Sequence, residues 1–402
     1  MTSYEEANEI ISKEFSNYKL EIEEVDLSDS TGRILAEDIY SDIDLPPFTN
    51  SAMDGFAIKF KPDTTKWKII GEISAGNFKE YNINEGLTVS IMTGGKIPDG
   101  ADTIIPIEDI IIEKDTIILK ENATFRKGIN IRIKGNDLLK NQIALSKNIV
   151  IKTRHIAVAA SCGKSKLKVY KKLNIAVLAT GDELVDITTL PGEDKIRSSN
   201  LYALLSAINE MNQTGINLGI VKDQEDEIRT RITSFLNSDN NILITTGGVS
   251  VGKYDYVKSI MEELGININF WKANIKPGKP IIFGTYNNGS AIKFVFGLPG
   301  NPVSCIVNFL IFIKNNILHL LGVEKDDLFI AELTEDLKKK DGKKHFMRGM
   351  FSKNIEGNIL VKRVGLQSSG NLAEMGKANC LIIFDEEKRE LKTGEKVFCI
   401  PI

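Results

Sequence analysis

Four short segments carry residue types able to handle an anion. Thr180-Gly181-Asp182-Glu183-Leu184, Thr246-Gly247-Gly248-Val249-Ser250-Val251-Gly252 and Gly297-Leu298-Pro299-Gly300-Asn301-Pro302 each close an apolar run, and Lys276-Pro277-Gly278-Lys279-Pro280 sets two cations on a loop too stiff for helix. Adjacent glycines let backbone amides close on an anion, and a following helix N-terminus adds a favourable dipole. A strand ending in Gly-Gly is, taken singly, an ordinary tight connection. Three such loops crowding one sheet edge, with Asp182 and Asp255 nearby, point to a bound phosphate. Lysines are compact point charges suited to phosphate or another oxyanion, although a solvated turn also explains the lysine loop. A fifth segment, Leu45 to Ile58, packs two prolines, small polar residues and Asp54-Gly55 into one loop before a strand. A turn explains Asp-Gly; it does not explain the density of hydroxyl and amide groups at a domain junction.

Composition removes several other chemistries. The four cysteines (Cys162, Cys305, Cys380, Cys399) form no CxxC pair and sit in apolar segments, so they read as small buried hydrophobes rather than zinc ligands or disulfides. Three scattered histidines, His155, His319 and His345, make a histidine-centred triad a poor fit. Catalysis would fall to carboxylates, lysines, hydroxyls and backbone amides. Lys+Arg total 51 against 54 for Asp+Glu, a net charge of −3 that lacks the basic footprint of a nucleic-acid binder. No stretch approaches the roughly 18 uninterrupted apolar residues of a membrane span. The acidic start, Met1 to Glu6, lacks a signal-peptide pattern, so a cytoplasmic location is expected.

The 402 residues suffice for about two to four domains. Apolar spacing predicts a helix over Tyr4 to Ser16, a strand over Leu20 to Leu27 and a short helix over Ile34 to Ile39. From Pro46 to about Leu145 short β-type runs broken by glycine and asparagine read as a compact β unit. Helical pattern returns at Arg154 to Ser161, so the β unit is expected to be inserted into a helical domain built from both flanks. From Leu173, apolar strands (Ile175–Ala179, Leu218–Val221, Ile242–Thr246, Lys293–Gly297) alternate with helices (Leu201–Met211, Ile228–Leu236, Tyr256–Leu264 and the segment after Pro302). That alternation predicts a parallel sheet covered on both faces, with ligands at the carboxyl ends of its strands. Short alternating strands follow Gly322.

The segments PPFTNSAMDGFA, IMTGGKIPDGADTIIPIE, TGDEL, TTGGVSVGKYDYV, KPGKP and GLPGNPVS, in this order, closely resemble the molybdopterin molybdenumtransferase (MoeA) family, which includes the gephyrin E domain. The resemblance covers essentially the whole chain. It implies a multidomain α/β architecture: helical domain I (1–45 plus 146–172), an inserted β domain II (46–145), a molybdopterin-binding three-layer α/β domain III (173–325) and a C-terminal β domain IV (326–402). It also implies an elongated homodimer whose active site joins domain III of one subunit to domain II of the other.

Carried over by motif, Asp54, Thr93, Asp137, Asp182, Glu183, Asp255, Lys276, Lys279, Pro299 and Pro302 fall on functional positions of the family. The chain departs from the family pattern at Asn136, where an acidic residue is usual, and at Ser198, where an aspartate often stands. The implied reaction takes adenylylated molybdopterin and molybdate, inserts the metal at the dithiolene and releases AMP. Molybdate and pyrophosphate are oxyanions that call for amide donors and lysines, and phosphoanhydride cleavage calls for Mg²⁺ on oxygen ligands. Gly247, Gly248, Ser250 and Gly252 are expected to cradle the pterin phosphates, with Asn301 and the two prolines beside them. Lys276 and Lys279 would hold molybdate or neutralise developing charge. Asp54 from the partner subunit, Asp182 and Asp255 would position water or metal, Asp182 and Glu183 being the metal ligands expected. A molybdopterin adenylyltransferase, itself a possible docking partner, shares the α/β domain but needs no proline-rich β insertion. A gephyrin-like scaffold would need a groove for a partner peptide.

Overall fold

The computed structural model describes all residues except 75, 77–78, 250–255, 290–291 and 324–327. Its centre is a six-stranded sheet in the order Thr214–Val221, Asn174–Thr180, Ile242–Thr246, Ile292–Leu298, Ile282–Asn287, Asn267–Trp271. Ile175–Ala179 within Asn174–Thr180 is apolar without interruption because both faces of that strand are covered. Side chains alternate across a strand, so Ile175, Val177 and Ala179 enter one core with helices Tyr4–Phe15, Ser199–Glu210 and Pro302–Leu320. Ala176 and Leu178 enter a second core with Glu225–Leu236 and Val257–Glu263. These are the three expected layers. The N-terminal helix is fixed at its start by a capping box between Ser3 and Glu6, and at its end by Phe15, whose ring lies 4.3 Å from that of Phe294. Truncating a phenylalanine buried this way costs about 3–5 kcal/mol.

The sheet is mixed rather than all parallel. Its first four strands are parallel, but Ile282–Asn287 runs antiparallel to both of its neighbours. Only four residues separate it from Ile292–Leu298, and a parallel crossover needs a dozen or more. Helix Pro302–Leu320 has the length and apolar character of a membrane span, yet it fills the central core, with Asn308 and Asn316 buried in it.

Strand Ile22–Asp26 pairs with Lys166–Tyr170, so the chain leaves this region and returns to it across the β unit. The β unit is a six-stranded sheet in the order Thr103–Pro106, Gly55–Ile58, Leu87–Ile91, Lys66–Ile73, Thr116–Leu119, Ile110–Glu113. Residues 34–39 are not helical, as their apolar spacing suggested. Ile34 bridges to Val150, Leu35 bridges to Val169, and Ile39–Tyr40 pairs with Ile143–Leu145. Pairing with the returning chain overrides the local pattern there. In the C-terminal region, Lys344–Lys353, Ile359–Arg363, Phe329–Leu333, Lys396–Pro401 and Cys380–Phe384 follow one another, and the last pairs with the first to close a barrel. All four cysteines are free and buried.

Candidate active site

The carboxyl ends of three neighbouring strands lie level. Ala179 stands opposite Thr246, and Thr246 opposite Leu298, so the loops at 180–184, 246–249 and 297–302 leave the sheet side by side. Gly247 and Gly248 have φ of 95° and 63°. A Cβ on Gly247 would lie 2.3 Å from the Thr180 carbonyl oxygen, and one on Gly248 2.7 Å from Val257 Cγ2. The pair is therefore required by packing between the loops as well as by any ligand. Ser250, Gly252 and Asp255 lie outside the described residues.

The third loop is held on both sides. Asn200 Nδ2 donates to the Gly300 carbonyl at 2.8 Å, and Val303 N–H donates to the Ser369 carbonyl at 3.1 Å. Pro299 is buried, Asn301 caps the helix and Pro302 occupies its first turn, where a missing N–H costs nothing. Asn200 Oδ1 is buried there without a partner, as is Ser198 Oγ at the start of the Asn200 helix. Asp182 and Glu183 are exposed; Asp182 Oδ1 accepts from Asp223 N–H at 3.2 Å. No group of three metal-ligating side chains exists among the described residues. Two adjacent carboxylates still match Mg²⁺, which usually keeps several waters and takes its remaining oxygens from substrate phosphates.

The lysine loop belongs to the junction with the C-terminal barrel. Ile275–Lys276 adds a parallel strand to Lys344–Lys353, with Lys276 beside His345. Asn308 Nδ2 donates to the Gly278 carbonyl at 3.0 Å, tying the loop to the helix that follows the third glycine loop. Lys279 is exposed. A cavity of about 340 Å³ opens here, lined by Lys276, Lys338, Lys340, Arg348, Arg363 and Asp341. Sequence reasoning missed every basic residue contributed by the barrel. Their signal was the run Lys338-Lys339-Lys340, which reads as a solvated face until the barrel turns it toward Lys276. Arg348 is buried and donates to the carbonyls of Leu366 and Ser368, shaping the loop that caps the third glycine segment.

Burial alone would raise the Asp341 carboxyl, but the His345 hydrogen bond and the nearby Lys276 charge hold it down to about 2. Burial lowers the His345 imidazole despite the opposing pull of Asp341. A larger cleft, about 1370 Å³, lies at the amino ends of the same strands near Asn174, Asn241 and Lys293. Ligands of such sheets bind at the carboxyl ends, so size does not make it the site.

Asp54 and Thr93 form a separate pair in the β unit. Thr93 donates to Asp54 Oδ1 through its backbone N–H (2.6 Å) and its hydroxyl (2.8 Å), which holds the carboxyl below its ordinary range. Asp137 is exposed, its N–H donating to the Leu45 carbonyl at 2.9 Å where the proline segment begins.

A three-layer α/β domain with an anion-ready carboxyl edge, carrying an inserted β sheet and a C-terminal barrel, defines the class. Residues 176–319 match the probable molybdopterin binding domain, residues 2–163 the MoeA N-terminal region (domain I and II) and residues 331–402 the MoeA C-terminal region (domain IV). A molybdopterin molybdenumtransferase of Haemophilus influenzae is 34% identical over 390 residues, covering 96% of this chain and 95% of that protein. One of Staphylococcus aureus is 33% identical over 384 residues, covering 93% and 89%. Two crystal structures of the molybdopterin biosynthesis MoeA protein of Pyrococcus horikoshii superpose with TM-scores of 0.79 and 0.84 at 29% and 26% identity, each covering 100% of this chain and 99% and 100% of those chains. The chain belongs to the MoeA family.

Proposed function

We propose that the chain is a molybdopterin molybdenumtransferase, which takes adenylylated molybdopterin and molybdate, inserts the metal at the dithiolene and releases AMP. The observation that carries this reading is the junction of two anion-suited features: three level loops at the sheet's carboxyl edge and a cationic cavity reached through the helix between them. Gly247 N–H is spent on the Leu298 carbonyl at 3.0 Å, so its part is to let the loop pass close to the neighbouring strand, while Gly248, with Ser250 and Gly252, receives the pterin phosphates. Asn200, bonded to the third loop through Gly300, keeps a buried side-chain oxygen still in need of a partner. Lys276 and Lys279 receive molybdate, a substrate, at the barrel side.

Mg²⁺ would sit on Asp182 and Glu183 and supply charge neutralisation at the phosphoanhydride. Asp54, kept ionised by Thr93, acts from the partner subunit of a homodimer and orients the attacking water together with Asp255. A molybdopterin adenylyltransferase in the cytoplasm would hand over the substrate. Incubating the pure protein with adenylylated molybdopterin, with and without molybdate, and measuring AMP tests the proposal.

A further inference from the structure

The cationic cavity contains a fixed negative charge. Among the described residues lining it, Asp341 is the one carboxylate. His345 Nε2 donates to Asp341 Oδ1 at 2.6 Å, and the Lys343 N–H donates to the same oxygen at 3.3 Å. His345 is itself buried in the barrel wall, in register with Lys276. The other oxygen, Oδ2, lies 3.4 Å from Lys276 Nζ, and the Lys276 side chain is 54% exposed. One end of this ion pair is held by two further hydrogen bonds, and the other is a lysine whose ammonium bonds to no other described residue of the cavity wall.

We propose that Asp341 is a built-in counter-anion for Lys276, holding its ammonium in the cavity when no ligand is there and giving it up to an incoming tetrahedral dianion. The inference rests on the oxyanion role given to Lys276 above. Lys338 and Arg363 have their own carboxylates in Glu390 and Glu335, whereas Asp341 is the carboxylate paired with Lys276. The entering dianion must displace a carboxylate that cannot follow it out, because His345 and Lys343 hold that carboxylate in place. Asp341 is thus a positioning residue that weakens anion binding and speeds release.

The test is calorimetric titration of the full chain with sulfate, a tetrahedral dianion that takes no part in the reaction, and with molybdate. Asp341→Asn keeps an acceptor for His345 but removes the charge. It should tighten both anions about tenfold, the order left by a unit charge a few ångströms away in a water-open site. In a Lys276→Ala background the same substitution should change affinity less than about twofold. Structural damage weakens binding and cannot produce that gain. Unchanged or weaker binding in Asp341→Asn overturns the proposal, as does an equal gain without Lys276. Absence of anion binding by the unaltered protein removes the counter-anion and the oxyanion role of Lys276 together. Binding that is normal but indifferent to Asp341 removes the counter-anion alone.

Discussion

The two glycines of the second loop should respond differently to the same added methyl group. At Gly247 the backbone has φ of 95°, outside the left-handed well that other residues tolerate, and the new Cβ would lie 2.3 Å from a backbone carbonyl oxygen of the adjacent central strand. Neither partner can move without disturbing the sheet, so Gly247→Ala should cost about 3–5 kcal/mol from strain plus overpacking. At Gly248 φ is 63°, inside the left-handed well, and the clash is with the Val257 side chain. Gly248→Ala should cost about 1–2 kcal/mol. Trp271 is a local reporter, since its indole N–H donates to the Val249 carbonyl at 3.4 Å and only Trp67 of the β unit competes optically. Urea titration of Trp271 fluorescence in a Trp67→Phe background would give both midpoints. The reasoning is refuted if Gly248→Ala proves as destabilising as Gly247→Ala.

Lys279→Ala should raise the half-saturating molybdate concentration several-fold while leaving the urea midpoint unchanged; an unaltered molybdate dependence would make Lys279 a surface charge. Inactive Asp54→Ala and Asp255→Ala proteins, mixed under subunit exchange, should regain part of the activity, whereas sedimentation showing only monomer would defeat the shared-site proposal. Thr93 depresses the Asp54 pKa, so the carboxylate's contribution is present above its ordinary range and lost as pH falls through the depressed value. Thr93→Val removes the hydroxyl donor, and the acid limb of the rate profile should move to higher pH; an unmoved limb would separate Asp54 from the rate.

Much of this was legible because the responsible patterns are local. Ile242–Thr246 reads as a buried strand from its own residues, and the loop after it from its own glycines. The short strand at Ile39–Tyr40 was not legible, since Leu35 and Ile39 mimic a helical face and only the returning chain at 143–151 pulls them into extended pairing. The antiparallel strands Asn267–Trp271 and Ile282–Asn287 escaped notice because the lysine loop between them drew the reading toward a turn. At the site, Lys276 stood out by its motif. Its partners Asp341 and His345 did not, because they are far from it in sequence and meet it only when Ile275–Lys276 joins the barrel.

The central claim is that the level glycine loops and the cationic cavity together run one oxyanion-dependent transfer. Single-turnover AMP release from adenylylated molybdopterin, followed with and without molybdate in the presence of Mg²⁺, tests it most directly. AMP should appear in step with molybdate incorporation, and Lys276→Ala should require far more molybdate to reach the same rate. AMP release that ignores molybdate, or no release from a protein that binds the substrate, would contradict the account.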